Sequence, residues 1–290
     1  MRIIVSYRQI PQSKGWATGD SVVRAFRKLG HSVSAFAKSY ELDEWVEDPH
    51  SLINQEYDLL VFCECNDGDR QYLTLKNIRA KTKVSWFFDT SYYPDNLTGL
   101  ASYMRFDYNF IANPEDVNKF NNGHWLPYAA DPELHFRKCN WPKQYDFSLV
   151  GSVRDDRLEL VKQLKKRNIH CQLIGNIFRQ AYVDILASST CQINQNPVSG
   201  RGLLNMRVFE APAAGSLLIT QAGDYIDRIL THGTECFEYQ SIDHLYQICE
   251  YIKNNPKEAE DMRITGQNVI MNKHTYEHRV KEMLEIINGN

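Results

Sequence analysis

No apolar stretch in the 290-residue chain approaches the roughly 18 residues needed to cross a bilayer, and "MRIIVSYRQI" at the start has no long apolar core of the secretory kind. No strongly basic block occurs in either half, and 33 Lys and Arg against 36 Asp and Glu leave a net charge of −3. A sequence-independent nucleic-acid binder needs a positive surface to displace counterions, so that class is disfavoured, although a local basic groove is not. Cysteines are few and odd in number: Cys63, Cys65, Cys139, Cys171, Cys191, Cys236 and Cys249. Most lie inside apolar runs such as "LLVFCEC", which reads as buried free thiols in a reducing, cytoplasmic setting. Cys63 and Cys65 form a C-x-C pair with no second Cys or His pair at a zinc-binding interval. Internal repeats and low-complexity tracts are absent too.

What is present is an alternation of short apolar runs and amphipathic segments. "RIIVSY", "HSVSAFA", "DLLVFCEC", "KVSWFFD" and "YNFIA" read as strands. They are continuously apolar rather than alternating, which favours a parallel sheet covered on both faces. "DSVVRAFRKLG" has helical spacing at Val22, Val23, Phe26 and Leu29, with Asp20 as N-cap and Gly30 as terminator. After "HWLPYAADPELHFRKCNWPKQ", with its prolines and weak periodicity, a second series begins with "YDFSLVGS", "RDDRLELVKQLKKRN" and "HCQLIG". The expected architecture is α/β, two Rossmann-like doubly wound domains facing across a cleft. Their expected extents are 1–135 and 136–274, followed by a C-terminal helix, 275–290, whose docking partner periodicity does not give. Ligands of such sheets bind beyond the carboxyl ends of the strands.

The stretch "SGRGLLNMRVFEAPAAGSLLIT", residues 199–220, places a glycine-bearing loop between a strand and a short helix. Asn205 suits the N-cap, and the free amides and dipole beyond it would suit a diphosphate. Arg207 in the first turn opposes the dipole unless it serves an anion, and Glu210 one turn later can accept hydrogen bonds from a ribose diol. The alternative, an i, i+3 surface ion pair, weighs about equally on physical grounds. Pro212 removes one helix bond, and Gly215 ends the helix.

"NMRVFEAPAAGSLLIT" resembles the donor-site motif of the CgeB-type glycosyltransferases, a bacterial and phage group with the two-domain GT-B fold. "LPYAADPELH", "YDFSLVGSVRDDRLELVKQL" and the whole ending from "ECFEYQ" to "KEMLEII" extend the resemblance over about the last 160 residues. The amino-terminal half is similar only in pattern, through "FRKLGHSV" and "VSWFFD". The resemblance implies a nucleotide-sugar donor, UDP-linked by default, and no metal or separate cofactor. It places Glu210 at the donor ribose, and Asn205 and Arg207 at the diphosphate end. Gly151 and Ser152 would form the turn under the phosphates. Arg154 or Arg157, along with Arg207, would stabilise charge on the leaving nucleoside diphosphate. Gly202 stands where many retaining relatives carry a second glutamate; Arg201 beside it would bring positive charge instead, and the outcome leans to retention.

On the acceptor side, the loop "SKGWATGD" offers Lys14, Gly15, Trp16 and Gly19, and His124 lies near the crossing. Asp89 ends the strand "VSWFFD" and is a candidate general base for an acceptor hydroxyl, though a turn-capping role suits it equally. Asp67 and Asp69 have D-x-D spacing, but "NDGDR" reads as a turn. The leading expectation is a glycosyltransferase acting on a polysaccharide, protein, small molecule or modified DNA base. A catalytically silent sugar-nucleotide-binding scaffold is the second reading, and a sugar-nucleotide epimerase the third.

Overall fold

The structure, a computed structural model, describes residues 1–9, 14–39, 41–63, 75–138, 140–196 and 204–289. Cys65, Asp67, Asp69, Cys139, Arg201 and Gly202 lie outside these residues. Contacts divide the chain into two compact units, Met1–Tyr128 with Tyr276–Asn290, and Ala129–Thr275. The first division thus falls at 128/129 rather than at 135/136. Locally, Leu126 N–H still donates to Ile111 (2.9 Å), whereas Ala130 N–H already donates to His274 (3.0 Å).

The first unit holds a seven-stranded sheet: β1 (Arg2–Arg8), β2 (Ser32–Ser39), β3 (Glu44–Trp45), β4 (Glu56–Cys63), β5 (Arg79–Phe87), β6 (Tyr108–Ile111) and β7 (Gly123–Trp125). Their order is β3-β2-β1-β4-β5-β6-β7, parallel throughout except for β3 against β2. Ile3, Ile4, Val5, Leu59, Leu60 and Val61 have no exposed surface, as strands covered on both faces require. The helix Thr18–Lys28 crosses β1 so closely that a Cβ on Gly19 would lie 2.0 Å from the Tyr7 ring. Its N-cap is Ala17, not Asp20. Asp20 instead occupies the third helical position, where its carboxylate accepts from Ala17 N–H (3.0 Å) and from the buried Tyr7 hydroxyl (2.6 Å).

The C-terminal helix Tyr276–Ile287 belongs to this unit. Tyr276 meets Trp86 edge-on, Glu277 pairs with Lys28 at 2.8 Å, and the buried Arg279 donates to the carbonyls of Pro127 and Tyr128 at 3.1 and 3.2 Å.

The second unit is a five-stranded all-parallel sheet of β8 (Tyr145–Val150), β9 (Cys171–Ile174), β10 (Ser189–Asn194), β11 (Leu217–Gln221) and β12 (Phe237–Tyr239), in the order β12-β11-β10-β8-β9. Phe147, Leu149, Cys191, Ile193, Leu217 and Ile219 form its core with residues of the helices Ile242–Asn254 and Pro256–Lys273. Five cysteines, Cys63, Cys171, Cys191, Cys236 and Cys249, are buried free thiols, and burial pushes Cys249 up to about 12. Among the described residues, no helix is long and apolar enough to cross a membrane. The chain leaves β8 for β9 on one side and then returns to place β10 on the other. The carboxyl ends of β8 and β10 therefore flank the point where strand order reverses, the place where such sheets leave a crevice.

Candidate functional site

Three chain segments meet at that reversal. The first is the turn after β8, Gly151 to Arg154, leading into the helix Asp155–Lys166. The second is the end of β10, Asn194, with Gln195 and Asn196 beyond it. The third is Asn205 and the helix Arg207–Ala213. The helix starts at Arg207, two residues after the expected cap, yet the Asn205 side chain still accepts from Arg207 N–H at 3.0 Å.

Those side chains are arginines. Gly151 has φ +146°, and a Cβ there would lie 2.7 Å from both Arg157 Nη1 and Arg207 Nη2. Two guanidinium groups therefore converge over a position that only glycine leaves open. Arg157 is 4% exposed and donates to the carbonyls of Ser152 (2.8 Å) and Gln195 (3.1 Å). Arg207 Nη1 donates to Asn194 Oδ1 at 2.9 Å. Asn194, fully buried, is held by its own donation to Thr220 Oγ1 (3.0 Å) and accepts from Asn205 as well (3.1 Å).

Neither Arg157 nor Arg207 forms an ion pair among the described residues, and the Nε of each is buried without a hydrogen-bond partner there. Burial, with the Arg207 and Arg154 charges beside it, pushes the Arg157 pKa down to about 10. The group stays charged at neutral pH, so like charges stand side by side there. Arg154 differs: it makes a bidentate pair with Asp156 (2.9 and 2.7 Å), which holds that carboxyl below its usual range.

Glu210 faces a different set. It is 5% exposed, and among the described residues no ion pair joins it to Arg207. The Tyr182 hydroxyl donates to Oε2 at 2.6 Å, and His135 Nε2 lies 3.5 Å from Oε1. His135 Nδ1 accepts from Asp131 N–H at 2.9 Å, which leaves the proton on Nε2, facing the carboxylate. Burial and the Glu210 charge raise the Tyr182 pKa well above its ordinary value, so the phenol remains a donor.

The structure thus brings together Gly151, Ser152, Arg154, Arg157, Asn205 and Arg207, while Glu210, on the same helix as Arg207, meets Tyr182 and His135. Arg201 lies outside the described residues. Asn194, Asn196, His135 and Tyr182 were not singled out from the sequence. Asn194 and Asn196 carried a signal, as amides closing an apolar strand in "CQINQN".

The residues expected on the acceptor side belong to the first unit, on segments that follow β1, follow β5 and form β7. Asp89 sits just beyond β5, its carbonyl accepting from Tyr92 and Tyr93 N–H at 2.9 and 3.2 Å. Lys14 makes an exposed pair with Glu44 at 3.3 Å. Gly15 has φ +79°, and its carbonyl accepts from Arg24 at 3.0 Å. Trp16 lies in the same partly exposed turn, and Gly19 serves the close approach to Tyr7. His124 is in β7, beside the rings of Tyr108 and Phe110 and 3.0 Å from Asn122 Oδ1. No group of three or more potential metal ligands occurs among the described residues.

The family model described as glycosyl transferase-like matches residues 136–285, just over half of the chain. The chain belongs to the glycosyl transferase-like family. Solved structures agree on its fold. An α-glucosyltransferase in complex with UDP and a 13-mer DNA containing a central A:G mismatch superposes with a TM-score of 0.72 at 10% identity, over 99% of this chain and 100% of that one. HepE of Anabaena in complex with UDP-glucose gives 0.64 at 11% identity over the full length of both. Sucrose-phosphate synthase from Thermosynechococcus elongatus gives 0.65 at 9%, over 100% and 99%. At such identities the likeness establishes the fold, which is GT-B. Comparison with curated protein sequences finds no match.

Proposed function

We propose that this glycosyl transferase-like protein transfers a sugar from a nucleotide-sugar donor to an acceptor hydroxyl, and that residues of the second unit hold the donor. The observation that carries this reading is the pair of carboxylate-free guanidinium groups converging on Gly151 at the strand-order reversal. A diphosphate supplies the two or more charges that such a pair favours, with charge-assisted hydrogen bonds. Breaking the glycosidic bond adds charge to the leaving diphosphate. Arg157 and Arg207, fixed by Ser152, Gln195 and Asn194, meet that charge without reorganising and so stabilise the transition state more than the ground state. Arg154, paired to Asp156, stands at the rim of the same group as a further cation.

Glu210 keeps unused lone pairs on both carboxylate oxygens and is the acceptor for the ribose diol. A uracil base is favoured because structural neighbours of the same fold bind UDP. Guanidinium cations do here what a divalent ion does in other sugar-nucleotide sites, so we read the reaction as metal-independent and without a separate cofactor. Asp89 is our choice of general base for the acceptor hydroxyl, and the CgeB-type group our choice of subfamily.

The test is a thermal-shift screen of the full chain against UDP, ADP, GDP and their hexose conjugates. A ligand that binds only the folded state raises the melting temperature once its concentration exceeds the dissociation constant. A shift with a sugar nucleotide, followed by its turnover on addition of acceptor extracts, supports the reading. No shift with any of them at millimolar concentration removes it.

A further inference from the structure

A cavity of about 370 Å³ opens in the first unit between the helix Pro94–Met104, the strand β6 and residues 119–121. None of the residues lining it has a part in the reaction proposed above. Its floor is apolar, made by Ala101 (8% exposed), Phe106 (8%) and Phe120 (6%). Phe106 stacks on Phe62 at 5.8 Å between ring centroids, and Phe120 lies 5.3 Å from Phe87, so the floor is part of the packed core and is formed before any ligand arrives. Most polar groups around it are already spent. The Thr98 and Ser102 hydroxyls donate to the carbonyls of Asp95 (3.1 Å) and Thr98 (2.9 Å), Asn109 Nδ2 donates to the Asn121 carbonyl (2.7 Å), and Lys119 pairs with Asp116 at 2.6 Å. Arg105 differs. It is exposed, and among the described residues no ion pair or hydrogen bond joins its guanidinium. It also ends the helix in a left-handed backbone, φ +53°, its N–H donating to the Ala101 carbonyl. Glycine takes that position without steric crowding, so an arginine there is kept at a cost to the fold.

Arg105 lines a second hollow as well, of about 500 Å³, with Lys76, Lys81 and Lys83. Lys81 pairs with Asp58 at 2.7 Å, and Lys76 sits over the Tyr103 ring at 4.2 Å. Asp107, the carboxylate of that lining, accepts from the Lys83 backbone N–H at 2.8 Å. Lys76, Lys83 and Arg105 are left without a carboxylate partner among the described residues. We propose that the cavity is a second ligand site, separate from the donor residues, for a small phosphate monoester with a compact apolar body. The body packs on Phe106 and Phe120, and the Arg105 guanidinium binds the phosphate through two parallel hydrogen bonds. Lys76 and Lys83 add positive potential at the same end, which favours a phosphate, with nearly two charges at neutral pH, over a carboxylate with one.

The experiment compares phenyl phosphate with inorganic phosphate, the head alone, and phenol, the body alone, by calorimetry on the full chain. Wild-type protein is expected to bind phenyl phosphate about tenfold or more tightly than either part. Ser102→Leu, at an exposed helical position on the rim, fills space while keeping every cation, and should weaken phenyl phosphate but not inorganic phosphate. Arg105→Gly is the sharper variant. It relieves the left-handed backbone, so it should melt no lower than wild type, and yet lose phenyl phosphate affinity about tenfold or more. Undiminished binding by Arg105→Gly, or no binding by wild-type protein at millimolar concentration, overturns the proposal. An Arg157→Gln/Arg207→Gln chain is expected to bind phenyl phosphate as wild type does, so failure of the donor-site reading leaves this result intact. Loss of binding there instead of in Arg105→Gly would assign the anion to the arginines over Gly151 and overturn the proposal. Cosedimentation with phosphatidic acid vesicles in the absence of phenyl phosphate binding would also overturn it, in favour of a membrane surface.

Discussion

At the scale of single residues, Arg157 and Arg207 stand side by side with no ion pair among the described residues. A buried guanidinium with a like charge beside it is an expensive arrangement unless a ligand completes it. Arg207→Gln should therefore weaken UDP binding about tenfold or more while leaving the weaker binding of uridine unchanged, as calorimetry with the two ligands would show. Equal losses for both would mean that Arg207 serves the fold rather than the phosphates. Glu210→Ala should weaken UDP binding by a similar factor in a chain that remains folded by circular dichroism. An unchanged affinity there would leave the carboxylate with a packing role only.

Asp116 gives the first unit a residue-scale test of its own. Burial alone would raise its pKa, but hydrogen bonds from Lys119, Thr90 and Asn113 outweigh it and hold the carboxyl below the ordinary 3.8. A depressed carboxylate stabilises the fold above its unfolded pKa, and that stabilisation is lost as pH falls through the folded value. Asp116→Asn should lower stability at pH 7 by about 1–3 kcal/mol and flatten the acid limb of the melting profile below about pH 4. A wild-type acid limb in the variant would assign the titration to other groups.

At the scale of elements, glycines set where the site's segments begin and end. Gly215, at φ +81°, closes the helix Arg207–Ala213: its N–H donates to Pro212 and Ser216 N–H donates to Ala211. Gly215→Ala should cost about 1–2 kcal/mol through the left-handed backbone alone, measured as a drop in denaturant midpoint. Gly151→Ala should act differently, displacing both guanidinium groups and abolishing nucleotide binding.

The helix boundaries near Gly30 and Gly215 were readable because each is set by a local backbone need. Asp20 was misplaced by three residues, because a carboxylate at the third position of a helix satisfies the same N-terminal amides as one at the cap. His135 and Tyr182 were not legible at all. Each reaches Glu210 from a different segment, and no periodicity encodes a contact between residues 75 and 28 positions away from it.

For the whole molecule, two parallel sheets followed from continuous apolar strands, and the doubly wound order followed from their alternation with helices. The placement of the C-terminal helix in the first unit did not, since an apolar stripe states that a helix docks but not where. The buried Arg279 and Tyr276, which anchor it locally, become visible only once the chain is folded. Arg207 and Glu210 could be picked out as one motif, but that their side chains part, one toward Gly151 and the other toward Tyr182, required the geometry.

We propose that the arginines over Gly151 bind a nucleoside diphosphate. Calorimetric titration of UDP into the wild-type chain and into an Arg157→Gln/Arg207→Gln variant tests it most directly. The wild type is expected to show saturable one-site binding that is lost from a variant with the same circular dichroism spectrum. Undiminished binding in the folded double variant would contradict it.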